Sequence, residues 1–232
     1  MEENYENMTP FKDMAKFLRE SRINNALTNR TIVYESHVRW FLRSVRYNEK
    51  EKMIYSAVRK KDENDKDVDV EIKFNVGDLR RVFDLGDIDD DPTIVPERLC
   101  KGLWFRMGFT GHANGKYLKS LFSRPYKFLI HCAVHALSHR KGAYDETSDY
   151  IMNIITCLVL NRPYNISQVL FDNLVDNIRG EKYIMYPRFI QMMIDDQVTY
   201  LPKDPAVLMN LRNMKSDTLN RLNQYKLKKD ET

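Results

Sequence analysis

Long apolar runs are missing from this chain of 232 residues. None reaches the roughly 18 residues that would suggest a membrane helix. The longest, Ile151 to Leu160, is interrupted by Asn153 and Thr156. Cysteine is scarce too. Cys100, Cys132 and Cys157 stand in apolar surroundings at no motif spacing, a pattern of reduced core thiols rather than a disulfide framework. Only eight Gly and eight Pro are present, which excludes a low-complexity chain or a Gly-rich β protein. The opening residues, Met1 to Glu6, are acidic and polar, without the basic start and apolar stretch of a secretory signal. The expected location is therefore intracellular, nuclear or cytoplasmic. The Asn-x-Ser/Thr triplets at Asn7, Asn29 and Asn165 then read as chance matches.

Catalytic signatures are also missing. The chain has no G-x-S-x-G, no phosphate loop and no dinucleotide glycine fingerprint, and no nucleocapsid zinc knuckle. No cofactor is implied, and an enzyme is not the expected class.

What is present is enough apolar residue, 43%, to build a core; a chain of this size buries roughly 70% of its unfolded surface. The net charge of +4 is unevenly spread. Residues 62–97 carry 4 Lys/Arg against 13 Asp/Glu. Residues 98–144 carry nine Lys/Arg and no carboxylate at all. Those nine are Arg98, Lys101, Arg106, Lys116, Lys119, Arg124, Lys127, Arg140 and Lys141, with His112, His131, His135 and His139 among them. A surface of this kind suits phosphates, unless the block folds against the acidic one before it. Trp104, Phe105 and Phe109 interleave with these cations, an arrangement that suits base stacking but equally an aromatic core stripe.

The expected fold is mainly α, a helical globule with one small β-hairpin (about residues 53–74) packed on it. Val38, Phe41, Leu42 and Val45 mark a helix over 35–46. Val68, Val70, Ile72 and Phe74 alternate with charged residues, which predicts a strand. Asn75 is placed to cap a helix through Phe83, and Pro96 to open one that Gly108 stops. Helices are expected from Pro125 to Leu137, from Asp149 to Leu160 capped by Thr147 or Ser148, after the Asn165/Gln168 pair, and from Pro187, with a last region starting at Asp204 and Pro205. The expected organisation is a polar arm over 1–30, a helical core over 31–200, and a C-terminal helix with a polar basic tail over 201–232.

Two further clusters invite chemistry. His131, His135 and His139 recur every four residues on a helix, a spacing that suits metal ligation in pairs. His131 and His135 are the weak metal candidates. The acidic turn from Asp84 to Asp91 lacks the ligand alternation of a calcium loop. Asp87, Asp90 and Asp149 form one of many carboxylate triples that a two-metal nuclease would need to assemble.

The order of segments carries a resemblance. Met107-Gly108-Phe109 with Gly111, Phe128-Leu129-Ile130-His131, and Met185-Tyr186-Pro187-Arg188-Phe189-Ile190-Gln191 resemble a plant retrotransposon-encoded protein family, the plant transposon proteins of Athila-like and related long-terminal-repeat elements. The likeness covers roughly residues 31–197. It implies an accessory or structural protein whose partners are nucleic acid, itself or other retroelement proteins, with no membrane. It brings no catalytic residues. The alternatives are a metal-dependent nuclease or integrase-like enzyme, and a protein-interaction scaffold without a nucleic-acid role.

Overall fold

The computed structural model describes residues 11–29, 31–64, 66–112, 117–138, 145–180 and 186–201. Nine α-helices and one three-stranded antiparallel sheet are found among them. The mainly helical fold with a small β element is thus the one expected. The described residues fall into two compact units, one of residues 11–24 and 94–162, the other of residues 25–93 and 163–201.

The first unit holds α1 (Lys12–Glu20), α5 (Glu97–Arg106), a 3₁₀ turn (Lys119–Leu121), α6 (Arg124–Leu137) and α7 (Asp149–Val159). The polar N-terminal segment, whose Phe11, Met14, Phe17 and Leu18 have helical spacing, contributes α1, anchored by Phe11, whose buried ring stacks on Phe128 at 4.8 Å. α6 is apolar on most sides, and seven of its residues are buried. It packs on α7, whose Ile151, Met152, Ile154 and Ile155 are buried as well. Ser148 occupies the N-cap position of α7, but its hydroxyl and that of Thr147 make no hydrogen bond. The cap expected there is positional only. The three cysteines are unpaired thiols. Burial raises the pKa of all three, to about 12 for Cys132 and about 11 for Cys157, which keeps them protonated and unreactive.

The second unit holds α2 (Asn24–Thr28), which begins at its edge, α3 (Glu35–Ser44), β1 (Arg46–Asn48), β2 (Met53–Lys61), β3 (Asp67–Phe74), α4 (Val76–Phe83), α8 (Ile166–Gly180) and α9 (Pro187–Gln197). β2 and β3 form the expected hairpin, with Ile54 opposite Phe74 and Lys61 opposite Asp67. β1 adds a third strand by pairing Arg46 with Tyr55. Ile54, Val58, Ile72 and Phe74 are buried on one face. The other face carries the Arg59–Asp69 and Lys61–Asp67 ion pairs. Phe74 lies 6.1 Å from Phe41 of α3 and meets Phe171 of α8 edge-on at 6.4 Å. The hairpin therefore has the helical cover that an isolated one needs. Asn75 caps α4 in a complete capping box with Asp78. At α8 the box is half formed. Asn165 accepts from the Gln168 N–H, while the Gln168 side chain turns to Asp172 instead.

The acidic turn is exposed at Asp84, Asp89 and Asp90 but not at Asp87. Asp87 is buried, and both its oxygens are bound. Oδ1 accepts from Arg80 Nε and Ser167 Oγ, each at 2.6 Å, and Oδ2 accepts from the Ser167 N–H at 2.8 Å. The carboxylate thereby joins α4 to the first turn of α8, where free N–H groups and the helix dipole favour an anion. Elsewhere in this unit the Arg188 guanidinium donates to the carbonyls of Ala26, Leu27 and Asn29, closing the C-terminal end of α2. Gln191 accepts from the Tyr34 N–H at 3.2 Å and lies 3.0 Å from His37 Nδ1.

Replacing Asp87 with Ala leaves Arg80 and the Ser167 donors facing a buried vacancy. Urea unfolding is expected to show a loss of about 2 to 3 kcal/mol for Asp87→Ala, the cost of leaving buried donors unmet while Arg80 keeps its pair with Asp89. Ser167→Ala, which keeps the backbone donor, is expected to lose about 1 kcal/mol. Equal, small losses in the two variants would contradict the account.

Candidate nucleic-acid interface

α5 is set between two sequence signals. Pro96 precedes its first turn, where a missing N–H costs nothing. Gly108 ends it at φ +78°, a left-handed conformation that suits glycine. The N–H of Gly108 reaches the carbonyl of Phe105, and that of Phe109 reaches Trp104, each at 3.0 Å. This is the paired hydrogen-bond pattern of a Schellman cap. A Cβ at Gly108 would stand 2.9 Å from that of Ser123, so both conformation and space require glycine.

The inward side of α5 carries Cys100, Leu103, Trp104 and Met107, all buried. Trp104 Nε1 donates to Thr156 Oγ1 of α7 at 3.3 Å, and Cys100 Sγ donates to Asn153 Oδ1 at 3.2 Å. Positions 98, 101, 102, 105 and 106 recur at spacings of three and four, so they share the opposite side. Arg98, Phe105 and Arg106 are exposed there. Lys101 is half-buried and paired with Glu97 at 2.6 Å. Of the three aromatic residues singled out from sequence, Trp104 and Phe109 are core side chains. Phe109 touches Phe122 at 4.9 Å. Phe105 alone of the three faces water, at 53% exposure.

The remaining basic residues divide. Arg124 is exposed and Lys127 half-exposed in the first turn of α6. No acidic residue stands in that turn, although a helix N-terminus favours anions. Lys119 turns inward and is 9% exposed, so it does not belong to the surface set. Lys116, Arg140 and Lys141 lie outside the described residues.

Lys119 is held by chain pairing that no local pattern announces. Its N–H donates to Asp145 O at 2.7 Å, and the Thr147 N–H donates to Tyr117 O at 2.8 Å. The side chain enters the unit and places Nζ 3.3 Å from His131 Nδ1. Burial lowers its pKa, an effect that nearby Asp145 opposes and Lys127 reinforces. The ammonium has only donors, so His131 Nδ1 accepts and the ring proton sits on Nε2. Burial, then the charges of His135 and Lys119, push the His131 pKa down to about 3. The His131 and His135 rings stand 4.1 Å apart. His131 Nδ1 faces an ammonium, and no group of three His, Cys, Asp or Glu side chains that could hold a metal is found among the described residues. His139 lies outside them.

The carboxylates considered for metal chemistry are differently placed. Asp87 is fully engaged as described, whereas Asp90 and Asp149 are exposed. A cleft of about 700 Å³ opens in the second unit between His37, Lys61, Asp195 and residues 198–201. Its polar floor is already organised, since Gln191 donates to Asp195 Oδ1 at 2.8 Å and contacts His37.

The depressed His131 pKa has a consequence for stability. The folded ring stays neutral, while the unfolded imidazole, near 6.5, takes up a proton. Stability is therefore fully present above about pH 6.5 and falls as pH drops toward 3, with a limiting slope of about 1.4 kcal/mol per pH unit. Urea unfolding at neutral and mildly acidic pH is expected to show this dependence reduced in His131→Gln. Ring NMR signals of His131 should not titrate between pH 5 and 8, and a midpoint above 6 would contradict the burial argument. Comparison with family models, with curated proteins and with solved structures gives no match for the chain.

Proposed function

We propose that this chain is a non-enzymatic, retroelement-derived accessory or structural protein that binds nucleic acid through the basic surface of its first unit. The observation that carries the proposal is the outward side of α5. Arg98 and Arg106 are exposed there, in a stretch of 47 residues that contains no carboxylate. Arg124 and Lys127 add cations from α6. Glu97 and Lys101 neutralise each other at the start of α5, so the charge that side presents rests on Arg98 and Arg106. Phosphates neutralise such charge and release counterions, which makes the affinity salt-dependent. The retroelement lineage rests on the segment resemblance alone.

The nuclease alternative draws little support, because Asp87 is already satisfied by Arg80 and Ser167. The acidic surplus of residues 62–97 is partly spent inside the second unit in the same way. Arg59 and Lys61, which precede that block, pair with its Asp69 and Asp67 across the hairpin.

Fluorescence anisotropy with a labelled oligonucleotide at low salt tests the proposal. The wild-type chain is expected to bind, with affinity falling as salt rises. The triple variant Arg98→Ala/Arg106→Ala/Lys127→Ala should bind on the order of tenfold or more weakly, with a shallower salt slope, since each lost phosphate contact lowers that slope by about one. Absence of binding by the wild type, or a triple variant indistinguishable from it, would overturn the proposal.

A further inference from the structure

We infer that the strand held by the first unit is single-stranded, and that Phe105 is the residue on which one of its bases stacks. The inference rests on the nucleic-acid reading above and makes it more specific.

The observation is an exposed ring in a cationic setting. Phe105 is 53% exposed, although phenylalanine has no polar tip to prefer water. Its neighbours on the same side of α5 are Arg106 beside it, Lys101 one turn back and Arg98 two turns back. Gly102, also one turn back, leaves open space: a Cβ there would meet nothing within 4 Å. The ring therefore has clear ground on one flank. On the other, the buried Phe109 ring supports it at 6.3 Å. A flat apolar face with an unobstructed approach and arginines at phosphate reach is the arrangement that stacks a base while the backbone is neutralised. The charge argues for a nucleic acid over an apolar protein segment, since a protein docking on this side would have to cover Arg98 and Arg106. A duplex keeps its base faces stacked internally, so the ring discriminates in favour of an unpaired strand.

The test uses the full chain with three labelled probes: an oligo(dT) strand, an abasic strand of the same length, and a duplex. Wild type should prefer oligo(dT) to the other two. Phe105→Ala should weaken oligo(dT) binding on the order of tenfold, leave abasic binding unchanged and keep the salt slope. Phe105→Trp should retain the affinity. Because the side chain is exposed, these variants are expected to fold as wild type. If Phe105→Ala binds oligo(dT) as wild type does, or if the abasic strand binds equally well, the inference fails while the nucleic-acid reading stands. If the wild type binds no probe at low salt, both fail, and a protein partner becomes the occupant of this face.

Discussion

The rotation of α5 about its own axis is the constraint on which the functional account depends. Trp104 cannot leave its indole N–H unmet in a core, and Thr156 supplies the oxygen. Cys100 finds Asn153 one turn earlier. With these two bonds made, Leu103 and Met107 must also point inward, and the remaining positions must meet water. The helix has no freedom to hide Phe105. A rotation that buried it would orphan the Trp104 donor and bring Arg106 toward the core, where an unpaired charge is costly. The exposed aromatic and its arginines follow from core chemistry on the far side of the helix.

Much of the charge of the second unit is paired, whereas the first, where Glu97 still holds Lys101, leaves part of its charge at the surface. In the second, charges are met by partners of opposite sign: Asp87 by Arg80, Asp196 by Arg81, and Asp69 and Asp67 by Arg59 and Lys61 across the hairpin. In the first, Lys119 is drawn inward against His131, whereas Arg98 and Arg106 are left at the surface. Exposed pairs contribute little to stability. The division therefore matters more for the field presented to a ligand than for folding. A cationic patch raises the local concentration of an anionic partner and speeds encounter.

Much of this was legible in the sequence, and the parts that were not share a cause. Pro96 and Gly108 bounded α5, Asn75 announced the N-cap of α4 though not its box with Asp78, and the alternation from Val68 to Phe74 marked β3, because these signals are local. The roles of Asp87 and Lys119 depend on distant chain. Ser167 lies 80 residues beyond Asp87, and the strand-like pairing of Leu118 with Glu146 sets the direction of Lys119. A composition count places both residues in charged, solvated segments. β1, at three residues, is too short for a period to show. Among Trp104, Phe105 and Phe109, spacing alone separates the outward ring only once the inward face of α5 is known. Met107 and Cys100 define that face.

The central claim is that the outward side of α5 meets nucleic acid. Ultraviolet cross-linking of the full chain to oligo(dT), followed by mass spectrometry of the conjugated peptides, tests it most directly. The account predicts that the main conjugate falls in the segment from Arg98 to Arg106, with Phe105 as the modified residue. Conjugates confined to other segments, with α5 unmodified at saturating strand, would contradict it.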